Sequence, residues 1–225
     1  MKQALVTGAS SGIGAAIVGQ LLAEGWQVLG LSRSAPPLTH EGFTHLAVDV
    51  SDRQALVDAL SSVPPPQAII HAAGVMAAAP LGELDAQRGE TLWRLHVDAA
   101  QTLANRFAPV MGRGGRIILL GSRTSRGAAG RSQYTATKAA LVALARSWAA
   151  ELAAAGITVN VVAPGATDTP MLRQPGRENS PPKTPPLGRL IKPQEVVSLV
   201  SWLLSEGAAA MTGQELVMCG GASLG

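Results

Sequence analysis

The chain has one cysteine, one tyrosine and two phenylalanines in 225 residues. A lone cysteine, Cys219, excludes an internal disulfide framework and a cysteine-based metal site, and it fits a reducing, cytoplasmic setting. No metal is expected. Charged residues make up only 15% of the chain, the net charge is +3, and the basic residues are scattered. That balance argues against a nucleic-acid partner. No stretch reaches the roughly 18 uninterrupted apolar residues of a membrane span; the longest candidate, "ALVALARSWAAELAAAG", is broken by Arg146 and Glu151. Met1 and Lys2 lead straight into "QALVTG", so no signal peptide is expected and no membrane partner. What is abundant is alanine, glycine, valine and leucine, in a composition 47% apolar. Such a chain is long enough to bury a substantial core as one domain over residues 1–225.

Short apolar runs alternate with helical patterns throughout. "QALVTG", "QVLGLS", "THLAVDV", "QAIIHAAG", "GRIILLGS", "ITVNVVAPG" and "QELVMCGG" read as seven strands. Helical spacing fills the gaps at "GAAIVGQLLAEG", "DRQALVDALSSV", roughly 84–111, 132–155 and from Pro193 to about Ser205, where proline suits a first turn. Ser51 or Asp52 is placed to cap the second of these. Alternation of this kind, with strands that are continuous apolar runs, predicts an α/β fold with a parallel sheet covered on both faces. Two segments break the rhythm. "SRSAPPLTHEGF" between strands two and three has no helical period, so that crossover is expected to be reduced. From about 165 to 190 the chain is rich in proline, glycine and arginine, and a loop of that length is expected to be a substrate lid.

"TGASSGIG" follows the first strand and opens the first helix. Gly8, Gly12 and Gly14 permit a tight turn and close approach of the backbone to a ligand, and Ser10, Ser11 and Ile13 complete the turn. The helix N-terminus offers free N–H groups and a positive dipole end to a pyrophosphate. At the end of strand two, Ser32 stands where an acidic residue would hold the adenosine ribose of NAD, and Arg33 follows. A guanidinium pairs with a phosphate through several donors, so NADP(H) is favoured, with NAD(H) possible. Asp49 is placed either to accept from an adenine amino group or to cap a helix.

"SQYTATKAAL" holds the only tyrosine, Tyr134, and one of only four lysines, Lys138, one helical turn apart. With "TGASSGIG", "DV" at 49–50, "AAG" at 72–74, Ser122, "NVVAPGATDTPM" and "TGQELVMCGGASLG", the chain resembles the short-chain dehydrogenase/reductase family from end to end, and its 3-oxoacyl-carrier-protein-reductase-like members in particular. The resemblance implies a Rossmann-type doubly wound sheet of seven parallel strands. It implies hydride transfer between a nicotinamide and a small-molecule carbonyl or secondary alcohol, in a homotetramer or dimer. It makes Tyr134 the acid/base, Lys138 its partner and Ser122 the group that polarises the substrate oxygen. Val50, Ala72, Ala73 and Gly74 would line the cofactor, and Pro164, Gly165, Thr167 and Thr169 its nicotinamide end. A free tyrosine has a pKa near 10, and a nearby cation lowers it.

The chain departs from the family pattern in four places. Ala72 replaces an asparagine after strand four. His96 takes the position of an asparagine that anchors a proton relay; it either continues the relay or is a core histidine. The Ser122–Tyr134 gap is one residue short, which brings in Ser125 as an alternative hydroxyl. Cys219 replaces an acidic residue, as packing. Arg123, Arg126, Arg131, Arg173, Arg177 and Lys183 flank the expected site, and they are either solvent-exposed or receive an anionic substrate group. Acyl thioesters and small ketones are both open as substrates. A catalytically idle NAD(P)-binding regulator and a dehydrogenase of a cyclic dihydrodiol acid are the alternative functions.

Overall fold

The computed structural model describes residues 2–173 and 183–224. Seven strands form one sheet: β1 (Gln3–Thr7), β2 (Gln27–Ser32), β3 (Phe43–Ala47), β4 (Ala68–His71), β5 (Arg116–Leu120), β6 (Thr158–Pro164) and β7 (Glu215–Met218). Their order is β3-β2-β1-β4-β5-β6-β7 and every pairing is parallel. The order reverses between β1 and β4. A ligand crevice opens at such a switch point, at the carboxyl ends of the strands. There Thr7 and His71 are register partners.

The helices are α1 (Gly12–Ala23), α2 (Arg53–Leu60), α3 (Ala86–Trp93), α4 (Ala99–Phe107), α5 (Ser132–Leu152) and α6 (Pro193–Leu204). Strand side chains alternate between two cores, because successive residues point to opposite faces. Leu5, Ile69 and Ile117 join Phe107 and Leu141 on the side of α2, α4 and α5. Val6, Ile70 and Ile118 join Ile17, Leu21 and Val200 on the side of α1 and α6. Each such large side chain contributes about 1.5–3 kcal/mol by leaving water. With both faces packed, the carboxyl end of the sheet becomes a rigid platform for the loops above it.

Several boundaries differ from the sequence reading, each for a local reason. β3 stops at Ala47 and not at Val50, because the Asp49 carboxylate accepts from the Ser51 N–H at 2.9 Å and the Ser51 hydroxyl at 2.7 Å and turns the chain. Asp52 is the cap of α2, accepting from the Ala55 N–H at 3.0 Å. The long helix expected at 84–111 starts on the Asp85 cap and divides into α3, a π turn over Arg94–Asp98, α4 and a 3-10 turn over Ala108–Val110. No helix joins β2 to β3. Of the expected lid, residues 174–182, Arg177 among them, lie outside the described residues.

Candidate active site

The phosphate turn is shaped by what its glycines exclude. A Cβ on Gly14 would lie 2.2 Å from the Gly8 carbonyl oxygen, and one on Gly8 would lie 2.9 Å from Ala73 Cα. Only glycine lets β1, α1 and the strand-four loop approach this closely. Gly12 has φ +57° and faces the Thr169 side chain, with 3.6 Å to its Cβ from an added methyl. Ser11, the cap of α1, makes no side-chain cap bond, and the first turn carries no acid. The first-turn N–H groups are therefore left for an anion. Ile13 packs on the α1/α6 core and holds the turn in place. This cradle fits the pyrophosphate of a dinucleotide.

Behind the turn, Thr7 is fully buried and ties β1 to β4. Its hydroxyl oxygen accepts from the Ala72 N–H at 3.1 Å and the Ala73 N–H at 3.0 Å, and its proton goes to His71 Nδ1, 2.8 Å away. Backbone donors to Thr7 thus hold Ala72 and Ala73, and no side chain at 72 takes part. His71 is buried, and burial pushes its pKa down to about 4, helped by the charge of Lys138. It stays neutral at physiological pH. Sequence reasoning missed both residues, since nothing local marks a contact between positions 64 apart.

The adenosine side is more open. Ser32 is buried; its hydroxyl donates to the Ser34 carbonyl at 2.9 Å and contacts His45 Nε2 at 3.1 Å. Arg33 is exposed. Burial tends to raise the Asp49 pKa, but the Ser51 hydroxyl and N–H and the charge of Arg33 outweigh it, and the value falls below the ordinary one. Val50 is part of the core, so only its backbone could meet a cofactor.

On the other side of the crevice, α5 presents Tyr134 and Lys138 one turn apart. Lys138 is buried, and its Nζ donates to the Leu120 carbonyl at 2.8 Å. Leu120 ends β5 two residues before Ser122, so this bond fixes α5 against the strand that carries the serine. Lys138 Nζ lies 5.8 Å from the Tyr134 ring centroid. Burial pushes the Lys138 pKa down to about 7. Ser122 Oγ accepts from the Thr124 N–H at 3.2 Å and sits 2.9 Å from the Thr124 hydroxyl. Ser125, the alternative, bonds its hydroxyl to Glu215 on β7.

His96 sits in the π turn, a distortion that recurs at functional sites. It packs edge-on to Tyr134, with ring centroids 5.7 Å apart and planes at 81°. The Val75 N–H donates to its Nε2 at 3.2 Å, which leaves the ring proton on Nδ1, 2.8 Å from the Thr137 hydroxyl oxygen. Thr137 in turn donates to the Tyr134 carbonyl at 2.8 Å. Burial, then the charges of Lys138 and His71, lower the His96 pKa well below its ordinary value. Both ring nitrogens are engaged within the protein, by the Val75 N–H and the Thr137 hydroxyl. The ring thereby joins the strand-four loop to α5. Gly74 makes that approach possible, since a Cβ there would lie 3.0 Å from His96 Nε2 and 3.5 Å from Lys138 Nζ.

Pro164 ends β6, and the Gly165 N–H donates to the Met218 carbonyl at 2.8 Å. Thr167 is buried and donates to the Gly165 carbonyl at 3.1 Å, and Thr169 donates to the Thr167 carbonyl at 3.3 Å. The segment so folded brings Thr169 across from Gly12. Cys219 is buried beneath Gly165, where a Cβ would lie 2.9 Å from Cys219 Cα. Among the described residues no group of acids, histidines and cysteine could hold a metal, and no helix is long and apolar enough to cross a membrane.

The chain is similar to known proteins over nearly its whole length. A family model described as enoyl-(acyl carrier protein) reductase matches residues 8–223. The 3-oxoacyl-[acyl-carrier-protein] reductase MabA of Mycobacterium tuberculosis is 34% identical over 234 residues, covering 100% of this chain and 94% of that protein. Among solved structures, BdcA in complex with NADPH superposes with a TM-score of 0.89 at 31% identity, over 98% of this chain and 95% of that one. A 4-hydroxyisoleucine dehydrogenase complexed with NADH gives a TM-score of 0.91 at 24% identity, with 100% of both chains covered, and so matches in fold. With a doubly wound seven-stranded sheet and a family match spanning nearly its whole length, the chain belongs to the short-chain dehydrogenase/reductase family.

Proposed function

We propose that this protein reduces a carbonyl, or oxidises the matching secondary alcohol, with Tyr134 as the acid/base. The observation that carries the reading is the buried Lys138, tied to Leu120 at 2.8 Å while one turn from Tyr134. A cation beside a phenol favours the phenolate, which makes the proton easier to give and to regain. When bound, the nicotinamide supplies or receives the hydride. In the reductive direction Tyr134 donates its phenolic proton to the substrate oxygen. In the oxidative direction it accepts the hydroxyl proton. The Thr124 N–H donates to Ser122 Oγ and the two hydroxyls share a bond; when the Thr124 hydroxyl donates, the Ser122 proton holds the substrate oxygen. Gly8, Ser10, Ser11, Gly12, Ile13 and Gly14 would hold the pyrophosphate. Ala72, Ala73, Gly74, Pro164, Gly165, Thr167 and Thr169 would line the crevice between it and Tyr134. Replacing Tyr134 with phenylalanine is expected to remove about three orders of magnitude or more of turnover, within the range for general acid/base catalysis, while coenzyme binding by titration stays near the parent value. Full activity in that variant would overturn the assignment.

NADP(H) is favoured over NAD(H) in this reading. Ser32 brings no negative charge to the end of β2, and the exposed Arg33 next to it can meet a 2′-phosphate. Arg33→Asp is expected to raise the KM for NADPH by about tenfold or more, equivalent to ~1.4 kcal/mol, and to lower that for NADH. A parent enzyme with the smaller KM for NADH would rule the preference out. Self-association is also part of the proposal. It is supported by the groove on α2, α4 and α5 where Val57, Leu60, Ala104, Trp148 and Leu152 lie among Arg53, Asp98, Arg106 and Glu151. Sedimentation of the purified chain tests it.

A further inference from the structure

Ser122 caps a short 3-10 turn over Arg123–Arg126. Its Oγ accepts from the Thr124 N–H at 3.2 Å and lies 2.9 Å from the Thr124 hydroxyl, so the serine side chain follows that turn. The turn is itself fastened from outside at two points. Arg123 donates from Nη1 to the Ala222 carbonyl at 3.2 Å, and the Ser125 hydroxyl bonds to Glu215 on β7. Other basic residues flanking the site behave differently. Arg173 is exposed and paired with Asp168 at 2.8 Å, and Arg126 and Lys183 are exposed, whereas Arg123 is half-buried and bonded to the turn that follows β7.

That turn, Cys219–Ala222, closes with the Ala222 N–H donating to the Cys219 carbonyl at 3.2 Å. It meets two more pieces of the site's rim. A Cβ on Gly165 would lie 2.9 Å from Cys219 Cα, so the turn backs the start of the segment proposed to line the nicotinamide. The Leu187 N–H donates to the Gly220 carbonyl at 3.0 Å. Gly220 and Gly221 have φ of +62° and +86°, and methyls added to them would lie 3.0 Å and 3.2 Å from Pro185 and Pro186. Conformation and space together make glycine the residue that fits at both positions, and the turn is closely held.

We propose that Arg123 is a positioning residue, which through the Ala222 carbonyl fixes the Ser122 hydroxyl relative to Gly165 and the segment after it. The proposal rests on the reductase reading above, in which Ser122 holds the substrate oxygen. Substrate oxygen and hydride donor must then be registered against each other, and a misplacement of about 1 Å can cost ~10²-fold in rate. The Cys219–Ala222 turn touches both sides and sets that register.

The test measures turnover with NADPH on ketones, oxo acids and N-acetylcysteamine thioesters, coenzyme binding by titration, and amide exchange over residues 121–127. Arg123→Ala is expected to lower kcat about tenfold or more, inside the cost of such a misplacement, while Kd and KM for NADPH stay within about twofold of the parent. Arg123→Lys keeps a donor for the carbonyl and should restore most of kcat. Gly221→Ala disturbs the same bond from its other end, and the double variant should lose no more than the worse single one, because both act on one contact. In Arg123→Ala the 121–127 amides should exchange about tenfold faster, with β5 protected as before. Losses that add, coenzyme affinity falling in step with kcat, or exchange at the parent rate would each overturn the proposal. Full activity in Arg123→Ala would keep the proposed reaction and sink the positioning role. A parent that turns over none of these carbonyls would sink the proposed reaction; faster exchange in the variant would then keep the tie between Arg123 and the Ser122 turn, and parent rates would remove it.

Discussion

Thr7→Val removes one oxygen atom from the centre of the fold and leaves the shape almost unchanged. The lost hydroxyl accepts two backbone N–H groups, from Ala72 and Ala73, and donates to His71 Nδ1 at 2.8 Å. Thr7 and His71 are 0% and 1% exposed, so water cannot replace the missing partner. Each buried polar group left unsatisfied costs about 1–3 kcal/mol. With some relaxation the three together should cost ~3 kcal/mol or more, a large part of the roughly 5–15 kcal/mol that holds a domain together. For a chain of this size each kcal/mol moves Tm by about 2–4 °C, so the drop should be on the order of 6–12 °C. Thr7→Ser keeps the hydroxyl and serves as the control, with a loss of about 1 kcal/mol from the missing methyl. Urea unfolding followed by circular dichroism gives both values. If the valine variant unfolds within ~1 kcal/mol of the parent, or no earlier than the serine variant, the hydroxyl is not the tie described here. Because the same atom positions the loop under Gly8, coenzyme affinity should fall along with stability.

Two further outcomes are expected. Burial lowers the Lys138 pKa from 10.5 to about 7. Between those values the unfolded chain binds the extra proton, so this group makes stability rise with pH across that window. Lys138→Met should therefore stabilise the protein most below about pH 7, with the gain shrinking as pH climbs toward the unfolded pKa; a gain independent of pH would contradict the burial argument. Gly14→Ala places a methyl 2.2 Å from a backbone oxygen that cannot yield, and should weaken coenzyme binding at least tenfold, about 1.4 kcal/mol or more. Gly19→Ala in the same helix meets nothing within 4 Å and should add ~0.5–1 kcal/mol of stability, so equal effects of the two on binding would refute the steric account.

The strand and helix order was legible because each element carries its own period, and so was the phosphate turn, because its glycines sit between a strand and a helix. The placement of Tyr134 and Lys138 one turn apart on a helix was legible in the same way. What the sequence hid is what depends on tertiary approach. The Thr7–His71 bond joins two strand ends that only the sheet register brings together. The π turn around His96 depends on where the helix must bend to bring that ring onto Thr137, and amino-acid spacing does not announce it. Asp49 and Asp52 look alike as caps; only the chain's path shows that Asp52 caps α2 while Asp49 turns the strand end. The flanking arginines look equivalent in sequence and separate only once Asp168 and burial are taken into account.

Between β2 and β3 the sheet has lost a covering helix, and Phe43 stands in for it. Its ring lies where a Cβ on Gly30 would be, 2.6 Å from Cε2. At this margin Phe43 covers Gly30 on one face while Leu29, Leu31 and Leu46 pack into the core on the other. The margin should exchange its amide hydrogens earliest of any strand. It is also where extra residues would add little beyond the entropy of a longer loop. The protein thus separates a margin that can be rebuilt, beside Arg33, from a frame that cannot, behind Ser122, Tyr134 and Lys138. A change of the proposed coenzyme preference at Arg33 would leave the placement of Tyr134 and Lys138 on α5 undisturbed.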